Sequence, residues 1–198
     1  MTYFHIGSVT ISSVWIAVIA SLLVSSLLFR FISGEQTGDW YINSFFLYLF
    51  IWKFSYILLN PVFFLDMPLS VLYFDGGSAG HIIALTAVTI LILIKKRNTQ
   101  GQAVVLLPLF FICYQVLSSA FDRNQSEMLL HFLLLAILLF LLWKTGNNLL
   151  AYASAFILFL FLGELLIFSL DGSIFSIEIL TLIWLGITTL VDRASCAS

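Results

Sequence analysis

Seven apolar runs, each close to the length that crosses a bilayer, divide this chain of 198 residues. They cover residues 8–32, 41–60, 80–94, 104–121, 128–144, 148–170 and 174–191, the third being the shortest. An α-helix rises about 1.5 Å per residue, so about 20 apolar residues span the ~30 Å hydrocarbon core. No water is present there to satisfy backbone polar groups, so a spanning segment of this length must be helical. The breakers fall between the runs: Gly34 to Asp39, Asn60-Pro61, Asp75 to Gly80, Asn98 to Gly101, Asp122 to Ser126, Thr145 to Asn148, and Asp171-Gly172. Residues 61–79 form the longest connection, partly apolar and carrying Pro61 and Pro68, as a re-entrant or interfacial segment would. The pattern predicts an all-α polytopic membrane bundle of about seven helices, a single transmembrane domain over residues 1–198.

Composition agrees. The chain is 62% apolar and 9% charged, against about half and about a quarter in soluble domains. Its net charge of −2 and lack of a basic, aromatic-interleaved stripe exclude a nucleic-acid partner. Cys113 and Cys196 are far apart, have no metal-ligand neighbours, and read as free thiols. The first run lacks a basic leader and a small-residue cleavage site, so it reads as a retained helix. Orientation follows from Lys and Arg placement. With the N-terminus outside and the C-terminus inside, Arg30, Lys95, Lys96, Arg97, Lys144 and Arg193 are cytoplasmic and only Arg123 is outside; Lys53 lies within a span.

Ionisable groups inside a bilayer are costly and often functional. Under this orientation Lys53 and Glu164 lie past the middle of their spans, towards the outer face. His81, His131 and Glu178 lie near the outer ends of theirs, and Gln115 is near or beyond mid-depth. The inner half is apolar, so a polar cavity opening outward is expected. Plainer roles stand beside each residue. Lys53 and Glu164 can pair to hold two helices together. His81 and His131 can be interfacial, Glu178 can face water, and Asp75, before Gly76-Gly77, can be a turn residue. No serine-hydrolase elbow, zinc-protease, phosphate-loop or dinucleotide motif is present, and no metal or cofactor is implied.

Several short elements occur in an order that resembles prolipoprotein diacylglyceryl transferase, a seven-helix bacterial membrane enzyme with its N-terminus outside. Phe4-His5-Ile6-Gly7-Ser8-Val9-Thr10-Ile11 is similar to that family's start. Trp52-Lys53-Phe54-Ser55-Tyr56-Ile57 resembles its Gly-Ala-Arg-x-x-Tyr-Val element, with Lys53 at the Arg and Tyr56 at the Tyr. Asn60-Pro61 follows. Asp75-Gly76-Gly77-Ser78-Ala79-Gly80 resembles the His-Gly-Gly-x-x-Gly before its third span. Ser176-Ile177-Glu178-Ile179-Leu180-Thr181 resembles its Met-Gly-Gln-x-x-Ser. The resemblance implies a bacterial cytoplasmic membrane protein that handles phospholipid, with a membrane lipid, a lipoprotein or another membrane protein as partner.

The departures bear on chemistry. Asp75 stands at the family's catalytic His, the first-span Tyr is missing, and only Arg123 is left of the central signature. The sixth-span Gly-Arg-x-x-x-Glu-x-x-Arg becomes Gly163-Glu164 with Phe168 and Asp171, so two arginines turn acidic. Guanidinium binds phosphate bidentately, whereas two carboxylates repel it. Three functions are therefore expected in competition. One is a fold-keeping relative without the transfer reaction, binding a lipid, a lipid-linked chain or a partner protein through Lys53, Tyr56, Gly76, Gly77, Arg123, Glu164 and Glu178. Another is a lipid or acyl transferase with altered catalytic residues, taking Asp75, His81 or His131 as base. The last is a small proton-coupled transporter using Lys53, Glu164 and Glu178.

Overall fold

The computed structural model describes residues 3–6, 9–74, 76–94, 102–145, 149–171 and 177–196. Two short strands come first, β1 (Tyr3–Ile6) and β2 (Val9–Ser12), paired antiparallel with Tyr3 opposite Ser12 and Ile6 opposite Val9. Helices follow: α1 (Ser13–Ser33), α2 (Asp39–Leu59), α3 (Pro61–Asp66), α4 (Ser70–Tyr73) and α5 (Gly77–Ile94). Four more complete the described chain: α6 (Ala103–Phe121), α7 (Gln125–Thr145), α8 (Leu149–Asp171) and α9 (Ile177–Cys196). The architecture is helical, as the apolar runs predict.

Five helices, α1, α2, α5, α6 and α7, are long and apolar enough to cross a membrane. Within α8 and α9 the corresponding apolar stretches among the described residues are Ala155–Leu170 and Ile177–Thr188. The chain is thus a multi-pass helical membrane protein in design. Its lipid-facing character shows in the large apolar side chains left exposed along one face of α1: Ile19, Leu23, Leu27 and Phe31. A soluble monomer does not expose such stripes on several helices at once.

One expectation is corrected. The first helix begins at Ser13 and not at residue 8, because Val9–Ser12 is the strand β2. Its strands carry β-branched Ile6, Val9, Thr10 and Ile11, and Gly7-Ser8 between them is a two-residue hairpin signal. Residues 61–73 hold α3 and α4, of 6 and 4 residues, far too short to cross a bilayer. Val62, Phe63, Leu65, Met67 and Leu69 are exposed there.

The chain divides into two compact units, one from Met1–Thr37 with Gly101–Ser198 and one from Gly38–Gln100. In the first, α6 is the central element, packed by α1, α7, α8 and α9. Every residue from Ala103 to Leu109 is buried, Pro108 included. α1 meets α6 with a stripe at four-residue spacing: Ser13, Ala17, Ser21, Ser25 and Phe29. Small side chains let helices approach closely where no hydrophobic effect drives them together. Their hydroxyls return to the helix's own carbonyls, Ser21 Oγ to Val18 O at 2.8 Å and Ser25 Oγ to Ser21 O at 2.6 Å.

In the second unit α5 packs on α2. The contact is set by glycine. A Cβ on Gly76 would overlap Ser55 Oγ and sit 2.7 Å from Gly80 Cα and 3.0 Å from the Trp52 carbonyl oxygen. A Cβ on Gly80 would also overlap Ser55 Oγ. Gly77 begins α5 at φ 54°, a left-handed conformation that favours glycine. The α2 helix ends at Asn60, ahead of Pro61, where the pre-proline position disfavours helical geometry.

Candidate functional site

The polar groups of the first unit collect at one end of α6, α7 and α8. Ser119 lies in the last turn of α6, His131 in the second turn of α7, and Glu164 two turns before the end of α8. Consecutive helices run antiparallel, so these positions share a level about 10 Å or less from the helix ends. His131 Nε2 lies 3.2 Å from Glu164 Oε2, and His131 Nδ1 lies 3.4 Å from Ser119 Oγ. The second distance is long for a hydrogen bond. The imidazole therefore bridges α6 and α8 from α7. Its edge packs on Phe168, one turn beyond Glu164, with centroids 6.5 Å apart.

Local sequence explains why these side chains meet. His131 begins a buried stripe on α7 with Leu134, Leu135, Leu138 and Leu142. On α8, Ile157, Leu160, Glu164 and Ile167 are buried at three- and four-residue intervals, so the carboxyl occupies a core position. Next to it, a Cβ on Gly163 would lie 2.5 Å from Leu134 Cδ1. The missing side chain lets α8 close on α7 one turn from His131. The α6–α7 turn fixes Ser119. Asn124 N–H donates to Ser119 O at 3.1 Å, and Arg123 sits in the left-handed region at φ 57°. That is a helix-closing Schellman arrangement, with an arginine where glycine is usual.

The site is dry. Glu164 is 0% exposed, His131 2%, and Ser119 and Gln115 6% each. Two of its polar atoms have no hydrogen-bond partner among the described residues, Glu164 Oε1 and Gln115 Nε2. Gln115 lies one turn before Ser119 on α6, on the same buried stripe. An acceptor and a donor buried without partners are expensive, and in native proteins such groups call for an explanation.

A second cluster lies in the other unit. Tyr48 Oη is 2.6 Å from His81 Nδ1, and the Tyr48 ring stacks on Trp52 at 6.4 Å. Trp52 Nε1–H donates to Gly77 O at 3.3 Å. Tyr56 is buried and stacks on Phe74 at 5.7 Å.

The sequence-predicted residues thus part company. His131 and Glu164 come together, and His131 is buried within the bundle. The partner of Glu164 within its unit is His131; Lys53 belongs to the other unit, half-buried on α2, and the expected Lys53–Glu164 pair is a feature of neither unit alone. His81 bonds Tyr48. Gly76 and Gly77 have structural reasons in packing and conformation. Arg123 is exposed in its turn, and Glu178 is half-buried in the first turn of α9. Cys113 is a buried free thiol. Asp75 and Lys95 to Arg97 lie outside the described residues, as does the side chain of Cys196.

Sequence reasoning missed Ser119, and it took Gln115 only as a depth marker. The available signal was the separation of Ser119 and His131 by one tight turn, which sets them on facing helices. Among the described residues no group of three His, Cys, Asp or Glu side chains is placed to hold a metal ion. No family model matches this chain, and no curated protein or solved structure is found to be similar to it.

Proposed function

We propose that this protein is a seven-span, N-out membrane protein of the bacterial cytoplasmic membrane that holds a phospholipid at the polar end of α6, α7 and α8. In this reading it is a divergent relative of the prolipoprotein diacylglyceryl transferases that lacks their transfer reaction. The observation that carries it is the pair of unpartnered buried atoms, Glu164 Oε1 and Gln115 Nε2, beside the Ser119–His131–Glu164 chain. A glyceryl hydroxyl can donate to the first, and an ester carbonyl can accept from the second. The lipid phosphate would stay away from Glu164, because the carboxyl repels it, and nearer to the exposed Arg123 at the same end of the helices.

Purified full-length protein given labelled phosphatidylglycerol and a lipobox peptide tests this reading. The label is expected to stay with the protein and none to reach the peptide. Glu164→Gln should weaken retention about tenfold, as the loss of a charge-assisted hydrogen bond would. Transfer to the peptide above background would show that the family reaction persists. Absence of retained lipid would end the lipid-binding reading.

A further inference from the structure

The buried chain has an order that a purely structural contact does not need. Where Glu164 is a carboxylate it can only accept, and Oε2 then takes its hydrogen from His131 Nε2–H. In the neutral imidazole that tautomer leaves Nδ1 with its lone pair, and the group facing it is the Ser119 hydroxyl at 3.4 Å. A hydroxyl, a base and a carboxylate that orients the base are the parts of an activated serine, whatever fold carries them. The long Ser119–His131 separation is ordinary for such a pair before substrate arrives. The oxyanion of an acyl-transfer intermediate also needs a pre-placed donor. Gln115 Nε2, buried and unpartnered one turn from Ser119, is a donor with no other partner among the described residues.

We propose that Ser119, His131, Glu164 and Gln115 form an acyl-transfer site acting on an ester of a membrane lipid. Ser119 Oγ attacks the ester carbonyl carbon and passes its proton to His131 Nδ1. The C–O bond to the lipid alcohol then breaks, and His131 returns the proton to that alcohol. The acyl group is left on Ser119 and is released to water or to another hydroxyl or amine. Glu164 is a positioning residue, holding the imidazole so that Nδ1 faces the serine. Gln115 donates to the carbonyl oxygen while it carries negative charge. The choice of a lipid ester as substrate rests on the lipid-binding reading above; the activated serine does not.

The test is covalent labelling of the full-length protein in detergent by an alkyl fluorophosphonate, which phosphonylates an activated serine with loss of fluoride. Peptide mass spectrometry is expected to place the adduct on Ser119. Ser119→Ala should abolish it, and Ser118→Ala, at the neighbouring half-buried hydroxyl, should leave it intact. Glu164→Gln should slow labelling at least tenfold and Glu164→Asp restore part of the rate, a rescue that a packing role would not give. Folded wild-type protein that takes no label, or a label unaffected by Ser119→Ala, overturns the proposal. Labelling at Ser119 in protein that retains no phospholipid would uphold the serine and reject the lipid reading. Retained lipid with an inert Ser119 would do the reverse.

Discussion

Leucine in place of His131 is expected to destabilise the first unit by about 3–5 kcal/mol, the usual effect of removing one member of a buried polar pair. The loss comes less from the broken bond than from what remains. Glu164 is fully buried, its Oε1 already lacks a partner among the described residues, and His131 supplies the contact to Oε2. Without the imidazole, both oxygens stand unpaired in a core of leucine and isoleucine. The double variant His131→Leu/Glu164→Leu should therefore recover at least half of the loss, since two apolar side chains fill the space without a stranded carboxyl. Thermal unfolding of the four proteins in one detergent measures the coupling. Additive losses would mean that the 3.2 Å contact contributes nothing.

The second large effect is expected where α5 crosses α2. Alanine at Gly76 should cost about 1–3 kcal/mol, the range for overpacking. Its new methyl meets Ser55 Oγ, and also two backbone atoms, Gly80 Cα and the Trp52 carbonyl, that cannot rotate away. Alanine at Gly80 meets chiefly Ser55 Oγ, with Trp52 O and Ser55 Cβ at 3.3 and 3.4 Å. Adding Ser55→Ala should thus rescue Gly80→Ala and not Gly76→Ala, even though the serine's own 2.7 Å bond to Trp52 O is lost in both. Equal rescue at both positions would show that the helices shift apart freely.

These two sites also show how far the sequence could be read. The helical, membrane-crossing design was legible because lipid leaves few alternatives to a run of about 20 apolar residues. The hairpin before α1 was not: Val9 to Ser12 is as apolar as the helix it precedes, and length alone assigns it to the span. Glu164 and His131 stood out as ionisable groups in apolar runs, but the sequence reading paired Glu164 with Lys53 and did not pair it with His131. Within the first unit Gly163, whose missing side chain admits Leu134, draws α8 onto α7 at the level where Glu164 meets His131. The glycines at 76 and 77 are expected at a substrate site only through the family resemblance. A close helix crossing at Gly76 and a left-handed φ at Gly77 ask for the same residues, and sequence alone does not separate these reasons from a substrate role. Ser119 carried no signal of its own, since serines recur throughout α1 as packing residues.

The central claim is that a phospholipid meets the polar end of α6, α7 and α8. The most direct measurement is photo-crosslinking in bilayers with phosphatidylglycerol carrying a diazirine on its headgroup, followed by peptide mapping. The account predicts adducts concentrated near Arg123 to His131 and Glu164 to Phe168, displaced by unlabelled phosphatidylglycerol and reduced by Glu164→Gln. Adducts spread over the exposed faces of all the helices, with neither competition nor any effect of Glu164→Gln, would contradict it.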